Sequence, residues 1–315
     1  MKIVLTDAGT VTGGDLDLSV FEKFGEATVY DITTPELTAA RIKDADIVLC
    51  NKTVLGENEL KDSRVKYIGL FATGYNNIDT AYTDAHGITV CNAGQYSTEA
   101  VAQQVFAYIL GHASRTAEYG AFTAGGGWVK SKFFSVFSMP THEIYGRTIG
   151  IIGFGSIGKK VATIALAFGM KVLVCTRTVR QTDLDVTFTD FDTLVASSDY
   201  ITVHTPLTKQ TARMFDKAAF GKCKRGAFFI NTSRGGTVDE QALRDALESG
   251  ILCGAAVDVL TNEPMRADCP LLGAPDLTIT PHIAWAPFET RVRLIGIVED
   301  NIKAWIDGKP KNVVH

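Results

Sequence analysis

The sequence lacks the features that would place the protein in a membrane, on nucleic acid or in a secretory pathway. It has no run of about 18 apolar residues, so no membrane-spanning helix is expected. It has no block of lysine and arginine, and its formal net charge is −4, so neither nucleic acid nor a membrane surface is an expected partner. The apolar start of the chain stops at Thr6 and Asp7, too early for a signal peptide.

The six cysteines lack any pattern of pairing. No two of them form a CxxC pair, and none lies at zinc-ligand spacing from a histidine. Several lie in apolar runs, among them Cys50 and Cys175. We therefore expect reduced thiols in a cytoplasmic protein, and no metal site.

What the sequence does contain is an alternation of strand-like and helix-like segments along most of its 315 residues. The first series of apolar runs is KIVLT, ATVYD, DIVLC, VKYIGLF and GITVCN. The second series is TIGIIG, KVLVC, YITVHT, GAFFIN, CGAAVDV and LTITP. Continuous apolar runs suit strands that are buried on both faces. The pattern predicts an α/β protein with two doubly wound parallel-sheet domains, Rossmann or flavodoxin-like, and a cofactor cleft between them.

The boundary between the two domains is expected near residues 92–98, before one long helix that ends at the glycines 125–127. A last helix, from Phe288 to about Ile306, is expected to return to the first domain. We therefore predict a discontinuous substrate-binding domain of residues 1–97 and 288–315. The dinucleotide-binding domain is predicted at residues 98–287.

A glycine-rich loop between an expected strand and an expected helix predicts a dinucleotide site. Its glycines permit the tight turn, the approach of a pyrophosphate and close helix packing, and are Gly153, Gly155 and Gly158 in that order. The backbone N–H groups expected to face the phosphates are those of Phe154, Ser156 and Ile157. A plain tight turn between strand and helix is the alternative.

The end of the next strand lacks the acid that usually binds the ribose of NAD. Thr176, Arg177 and Thr178 stand there instead. Without a carboxylate nothing repels a 2′-phosphate, and a guanidinium can bind one, with Arg180 a further candidate. We expect NADP(H) to be favoured and NAD(H) to be accepted. Alternatively, Arg177 stacks on adenine and favours neither cofactor, and two nearby acids could reach the site, Asp183 and Asp185.

Four polar side chains follow later strands of the second series. INTSRGG presents Arg234, VDVLTNEP presents Asp258 and Glu263, and TPHIAW presents His282. In open α/β sheets, ligands bind outside the carboxyl ends of the strands. Each side chain alone could be an ordinary surface group, but together they predict a catalytic site near a nicotinamide.

These motifs carry a family resemblance. GFGSIG, HTPLT, NTSRGG, VDVLTNEP and TPHIAW resemble, in order and spacing, the D-isomer-specific 2-hydroxyacid dehydrogenases over essentially the whole chain. FATGYNNID, CNAGQYSTEAVAQ and the Trp285 after His282 are most similar to glycerate dehydrogenases, also called hydroxypyruvate reductases. The resemblance implies hydride transfer from NAD(P)H to a small 2-keto acid, with hydroxypyruvate the best match and glyoxylate weaker. The alternatives are another keto acid, or an NAD(H)-dependent, non-enzymatic scaffold like the C-terminal binding protein corepressors.

The resemblance also implies roles for individual residues. Arg234 would hold the substrate carboxylate and polarise the carbonyl, His282 would donate a proton, and Glu263 would hydrogen-bond and orient the imidazole. The implied substrate contacts are Thr73, Gly74, Tyr75, Arg234, His282 and Trp285. The implied cofactor contacts beyond the glycine loop are Thr232, Arg234, Asp258 and His282 near the nicotinamide, with His204 and Pro206 on the adenine side.

The long helix from residue 98 to about residue 122 predicts a homodimer. It has apolar side chains on more than one face, and a surface of that kind seldom stays exposed on a monomer. These side chains are Val101, Val105, Phe106, Tyr108, Ile109 and Leu110. The alternative is that the helix is buried between the two domains.

Overall fold

The computed structural model describes residues 1–179 and 181–315. The chain divides into two compact units. The first unit consists of Met1–Ser97 and Ala286–His315, and the second of Thr98–Trp285. In the described residues, none of the helices combines the length and the apolar character that crossing a membrane requires.

The first unit contains a five-stranded parallel sheet with helices packed on it. Its strands are β1 (Lys2–Leu5), β2 (Glu26–Val29), β3 (Ile47–Cys50), β4 (Tyr67–Leu70) and β5 (Thr89–Cys91). Its helices up to this point are α1 (Pro35–Ile42), α2 (Glu57–Leu60) and α3 (Thr80–Ala85), with short 3-10 helices at Ala8–Thr10 and Ser19–Phe24. The strand order β2-β1-β3-β4-β5 is that of a flavodoxin-like sheet.

The second unit contains a seven-stranded parallel sheet. Its strands are β6 (Thr148–Ile152), β7 (Lys171–Cys175), β8 (Thr187–Phe188), β9 (Tyr200–Val203), β10 (Ala227–Asn231), β11 (Leu252–Val257) and β12 (Leu277–Ile279). Its helices are α4 (Thr98–Ser114), α5 (Thr116–Ala124), α6 (Ser156–Ala167), α7 (Phe191–Ser197), α8 (Lys217–Gly221) and α9 (Glu240–Glu248), with a 3-10 helix at Gly235–Thr237. The order β12-β11-β10-β9-β6-β7-β8, counted from β6, is that of a Rossmann fold.

The last helix, α10 (Phe288–Ile306), belongs to the first unit. The predicted range of this helix is confirmed. The ring of Trp305 packs on that of Tyr67 in β4, with 5.0 Å between the centroids. Because this helix packs on β4, the first unit needs both ends of the chain.

Helices cover both faces of the larger sheet, which is why its strands are apolar throughout. Val105 of α4 and Val161 of α6 pack on one face. Leu194 of α7, Phe220 of α8 and Leu243 of α9 pack on the other. The predicted fold class, two doubly wound parallel sheets, is confirmed. All of the predicted apolar runs contain a strand, and only β8, a two-residue edge strand, was not predicted.

The prediction of one long helix after residue 98 is wrong. Helix α4 ends at Ser114, Arg115 adopts a left-handed backbone with φ of 52°, and α5 begins at Thr116. A left-handed residue cannot continue a right-handed helix, so the chain changes direction there. An ion pair of 3.0 Å between Arg115 and Glu118 supports the break.

The surface on which the homodimer prediction rested is not a free surface. Within α4, Val105, Phe106, Tyr108 and Ile109 belong to the core of the second unit, and Val101 is buried as well. Leu110, partly buried, packs against the same core. The side chains from Val105 to Leu110 named here therefore stabilise their own unit, and none of the six is an exposed apolar group.

Candidate active site

The glycine loop follows β6 and makes a tight turn toward α6. Gly153 has φ of +94°, and a Cβ there would lie 2.5 Å from the carbonyl oxygen of His204. Its N–H group donates to the carbonyl of Cys175, at the end of β7, at 2.8 Å. Only glycine fits this position, because both the backbone conformation and the close neighbour exclude a side chain.

The two later glycines of the loop play different parts. A Cβ on Gly158 would lie 2.2 Å from the carbonyl oxygen of Gly153, so this glycine allows α6 to pack against the turn. A Cβ on Gly155 would meet nothing within 4 Å, so space is open in front of the loop. The first-turn N–H groups of Ser156 and Ile157 have no partner within the helix. The side chain of Phe154 is buried, so only its backbone can face a ligand. Such a helix start suits a phosphate.

Two buried polar atoms at the ends of the neighbouring strands β9 and β10 have no hydrogen-bond partner among the described residues. They are Nδ1 of His204, just after β9, and Oγ1 of Thr232, just after β10. Burial lowers the pKa of His204 to about 3, so its imidazole is neutral, and Nε2 lies 3.0 Å from the hydroxyl of Thr202. Unpaired buried polar atoms in a native fold call for an explanation such as a ligand. The residues at these strand ends therefore fit a dinucleotide.

Pro206 and the end of β7 border the same side of the sheet. The carbonyl of Pro206 accepts a hydrogen bond of 2.6 Å from the hydroxyl of Thr211, and its ring is exposed. Thr176 is half-buried, whereas Arg177 and Thr178 are exposed. The acids considered as competitors, Asp183 and Asp185, are exposed as well. Arg180, a further candidate for this site, lies outside the described residues.

A buried asparagine that the sequence interpretation missed shapes the turn that carries Arg234. Asn231 ends β10, and its amide donates to the carbonyl of Arg234 at 3.0 Å. Its side-chain oxygen accepts the N–H of Ser233 at 3.0 Å. Thr237 closes the turn through a hydroxyl bond of 2.7 Å to the Arg234 carbonyl. A polar residue at the end of an apolar run is a weak signal, but it was present in INTSRGG.

The guanidinium of Arg234 is half-buried and donates to the carbonyl of Ser233 at 2.7 Å. No further hydrogen bond from it is found within residues 1–179 and 181–315, so donors of its fork remain for a ligand. The next residue, Gly235, packs directly on the loop after β11, where a Cβ would lie 1.9 Å from the carbonyl carbon of Leu260. This contact brings the arginine turn against the loop that leads to Glu263.

Glu263 and His282 form a hydrogen bond of 2.7 Å between Oε2 and Nδ1. The other carboxylate oxygen, Oε1, accepts the backbone N–H of Leu260 at 2.9 Å. Because a carboxylate can only accept, Nδ1 of His282 carries a proton. Nε2 is therefore the ring atom through which this histidine can exchange a proton with a ligand.

Asp258 is buried and binds the segment that carries His282. Its carboxylate accepts the hydroxyl of Thr280 at 2.5 Å and the N–H groups of Ile283 and Ala284 at 2.9 Å each. Burial raises the pKa of Asp258, whereas these donors lower it. Trp285, the next residue, is half-buried.

The expected substrate loop lies in the first unit, after β4. Thr73 donates its hydroxyl to the carbonyl of Gly94 at 2.5 Å, and its own carbonyl accepts the amide of Asn92 at 2.7 Å. Among the described residues, the N–H groups of Gly74 and Tyr75 donate no hydrogen bond. Two successive N–H groups in this state suit a carboxylate.

A Rossmann sheet with a glycine loop, an arginine turn and a carboxylate–histidine pair at its strand ends defines a nicotinamide-dependent oxidoreductase. The chain belongs to the D-isomer-specific 2-hydroxyacid dehydrogenase family, because a model of that family's NAD-binding domain matches residues 106–284. The predicted family is thereby confirmed.

Individual relatives agree with this assignment. A hydroxypyruvate reductase of Blautia hydrogenotrophica is 37% identical over 100% of both chains. A glycerate dehydrogenase of Methylorubrum extorquens is 38% identical over 99% of this chain and 98% of its own. Among solved structures, an acyclic imino acid reductase in complex with NADPH and D-Arg superposes with a TM-score of 0.87, at 30% identity over 100% of both chains. The protein is a D-2-hydroxyacid dehydrogenase, and these relatives favour an enzyme over the non-enzymatic scaffold.

Proposed function

We propose that the protein reduces hydroxypyruvate to D-glycerate. It also reduces glyoxylate, but more slowly. The observation that carries the proposal is the Glu263–His282 hydrogen bond of 2.7 Å on loops next to the Arg234 turn. The full-length similarity to a hydroxypyruvate reductase and a glycerate dehydrogenase supports this choice of substrate.

The reduction of a 2-keto acid needs a hydride, a proton and a cation. When bound, the nicotinamide supplies the hydride to C2 of the substrate. Arg234 binds the carboxylate and polarises the C2 carbonyl through its planar fork of donors. Nε2 of His282 gives its proton to the developing alkoxide, and Glu263 keeps the ring oriented through Nδ1.

In this proposal the loop after β4 in the first unit binds the substrate carboxylate. The N–H groups of Gly74 and Tyr75 bind the substrate carboxylate. Thr73 holds this loop in place through its bond to Gly94. Trp285, which follows the Asp258-bound segment, limits the size of the substrate side chain.

The second unit binds the dinucleotide. The backbone of the glycine loop, Gly153–Gly158, holds the pyrophosphate. Thr232 and Asp258 bind the nicotinamide carboxamide in this proposal. Each carboxylate oxygen can accept more than one hydrogen bond, so Asp258 can bind the carboxamide in addition to its partners within the protein. His204 and Pro206 line the adenine side, where the unpaired Nδ1 of His204 supports a polar contact.

NADP(H) is the favoured cofactor in this proposal, with NAD(H) also accepted. Arg177, exposed beside the end of β7, binds the 2′-phosphate, and Thr176 and Thr178 add hydroxyl donors. The related imino acid reductase is an NADPH complex, which supports the choice.

The active form in this proposal is a homodimer, although α4 does not provide its surface. A different segment of the second unit exposes large apolar side chains: Trp128 53%, Val129 90%, Phe133 75%, Phe134 90% and Phe137 91%. Monomers rarely expose an apolar segment of this size, and a second copy of the chain is its occupant. Sedimentation at micromolar concentration should show a dimer, and Phe134→Ser with Phe137→Ser should shift it toward single chains.

The location proposed for the enzyme is the cytoplasm. All six cysteines are free thiols. A reducing compartment keeps such thiols from pairing, which supports this choice.

The test of the substrate is kcat/KM across a panel of 2-keto acids with NADPH and NADH. Hydroxypyruvate should rank first and glyoxylate below it. A small change in a pocket can alter kcat/KM by about ten-fold or more. If kcat/KM for pyruvate or a branched keto acid exceeds that for hydroxypyruvate by more than about ten-fold, the proposed substrate is wrong.

A further inference from the structure

The backbone of His282 adopts an unusual conformation. Its φ is 56°, in the left-handed region that non-glycine residues rarely enter. A residue keeps such a conformation only where its neighbours stabilise it. At His282 the backbone conformation sets the direction of the side chain and so decides whether the imidazole reaches Glu263. The neighbours that hold this backbone therefore bear on the position of the proton donor.

Asp258 is the residue that holds it. The main-chain carbonyl of Asp258 accepts the N–H of His282 at 2.9 Å. Its carboxylate binds the next two N–H groups, those of Ile283 and Ala284. Successive N–H groups beside a left-handed residue form a concave anion site, and here a buried side chain of the same unit fills it.

A hydrogen-bonded chain leads from Asp258 to helix α4. Thr280 donates its only hydroxyl proton to the carboxylate, so the hydroxyl of Tyr108, 2.5 Å from Thr280, must donate to Thr280 in turn. Tyr108 is 7% exposed and belongs to the core of the second unit. Tyr108, a side chain of the core, therefore fixes the orientation of the Asp258 carboxylate through Thr280.

We propose that Tyr108 and Thr280 are positioning residues that act through Asp258 to hold the left-handed backbone of His282 and so to aim its proton-donating ring. The inference rests on the proposed role of His282. Neither residue touches substrate or cofactor in this account. Their hydroxyl groups fix the rotation of the Asp258 carboxylate, and the carboxylate fixes the turn.

The test uses the full-length enzyme with NADPH and hydroxypyruvate. Thr280→Val keeps the shape of the side chain and removes the donor to a carboxylate, so kcat should fall about 10- to 100-fold. Tyr108→Phe removes a more remote, neutral bond, and kcat should fall about two- to ten-fold. Thr280→Ser restores the hydroxyl and should recover most of kcat. The Kd of NADPH should change much less than kcat, because the removed hydroxyl groups do not themselves contact the cofactor and the glycine loop still holds the pyrophosphate.

Two matched controls remove the same groups elsewhere in the second unit. Thr193 donates its hydroxyl to Asp190 at 2.7 Å on an exposed helix start, so Thr193→Val repeats the loss of a threonine–aspartate bond. Tyr119 donates its hydroxyl to the carbonyl of Met139 at 2.7 Å, so Tyr119→Phe repeats the loss of a tyrosine hydroxyl. Both should keep the kcat of the parent enzyme. If they lower kcat as much as Thr280→Val and Tyr108→Phe do, the effect is a general one and the inference is wrong.

A double-mutant cycle separates positioning of His282 from other effects. In a His282→Ala background, Thr280→Val should lower kcat no further, because the ring that it positions is gone. Independent multiplication of the two effects would overturn the inference. If His282→Ala alone leaves kcat unchanged, the proposed role of His282 fails instead.

A second readout does not depend on catalysis. Amide hydrogen exchange of Ile283 and Ala284 should become faster in Thr280→Val and in Tyr108→Phe than in their controls. Unchanged exchange in both variants contradicts the inference whatever the activity shows. If Thr280→Val fails to fold, Tyr108→Phe, which removes one oxygen atom, gives the answer by itself.

Discussion

The two parallel sheets differ at the point where their strand order reverses. In a doubly wound sheet, a crevice forms where the strand order reverses, and this switch point lies between β6 and β9 in the second unit and between β1 and β3 in the first. At the second unit's switch point, the glycine loop leaves open space in front of Gly155 and first-turn N–H groups without helical partners.

At the first unit's switch point, a side chain occupies the equivalent place. Asp7, just after β1, is 4% exposed. Its carboxylate accepts the N–H groups of Asn51, Lys52 and Thr53, after β3, at 2.8, 2.6 and 2.8 Å. One switch point is thus filled by the protein's own anion, whereas the other leaves its donors for an anion from outside.

The difference teaches that architecture alone does not make a nucleotide site. Both sheets are parallel and both place loops at a switch point, yet a single carboxylate converts one crevice into a structural joint. Function follows from the groups placed at the strand ends, as it does in other folds that recur with many activities.

The largest expected effect comes from removing the chemistry at the second unit's strand ends while the nucleotide loop stays intact. His282→Ala should lower kcat about 10²- to 10⁴-fold, because general acid catalysis contributes on that scale. The Kd of the cofactor, followed by fluorescence titration, should stay close to that of the parent enzyme.

Arg234→Ala is the matched comparison at the same edge. It should lower kcat/KM more than kcat, because the guanidinium binds the substrate and the transition state alike. Small and equal effects of the two substitutions would contradict the assigned roles.

The next largest effect is expected on the stability of the protein, and it tests the role of Asp7 at the first unit's switch point. Asp7→Ala leaves three N–H groups without their acceptor, two of them on buried residues, and should lower the free energy of unfolding by about 2–4 kcal/mol. Urea denaturation measures this loss. Asp17→Ala, which removes an exposed carboxylate bound to the N–H of Ser19 at 2.9 Å, is the control and should change stability little. A stable Asp7→Ala protein would mean that the carboxylate does not fill a structural joint.

A smaller effect is expected from closing the open switch point. Gly155→Ala adds a Cβ that meets no atom of the fold within 4 Å, so the midpoint temperature of thermal unfolding should not change. The methyl group should occupy space that the pyrophosphate needs and raise the Kd of the cofactor about 10- to 100-fold, as expected for weakened hydrogen bonds to a charged group.

Gly158→Ala serves as the contrast, because its Cβ would lie 2.2 Å from a backbone carbonyl oxygen. This substitution should lower stability as well as cofactor affinity. Equal loss of stability in both variants would show that Gly155 has a packing role instead of a binding one.

The smallest expected effect concerns the choice between the two nicotinamide cofactors. Arg177→Ala should lower kcat/KM for NADPH about ten-fold and leave that for NADH nearly unchanged, because an exposed guanidinium contributes on the order of one charge-assisted hydrogen bond. Steady-state kinetics with both cofactors measures the ratio. A parent enzyme that prefers NADH by more than ten-fold would contradict the assignment of Arg177.

Local sequence patterns carried much of the fold and part of the site. The apolar runs predicted all strands except β8, because strands buried on both faces need continuous apolar residues. The glycine spacing predicted the turn at Gly153, because no other residue fits its backbone and its neighbour. The family resemblance, carried by VDVLTNEP and TPHIAW, implied that Glu263 hydrogen-bonds to His282, and the two side chains lie 2.7 Å apart.

Tertiary structure decided what such patterns do not contain. The left-handed Arg115 ends α4 early, and the apolar side chains of α4 turn into the core, so the exposed apolar segment lies further along the chain. Asp7 meets its partners 44 to 46 residues away, and Tyr108 meets Thr280 across 172 residues. The sequence by itself determined which segments are strands and where the reactive groups stand on them, since both depend on near neighbours. Only the folded chain decided which anion occupies each switch point and what holds His282 in place, because those contacts join residues that no local spacing relates.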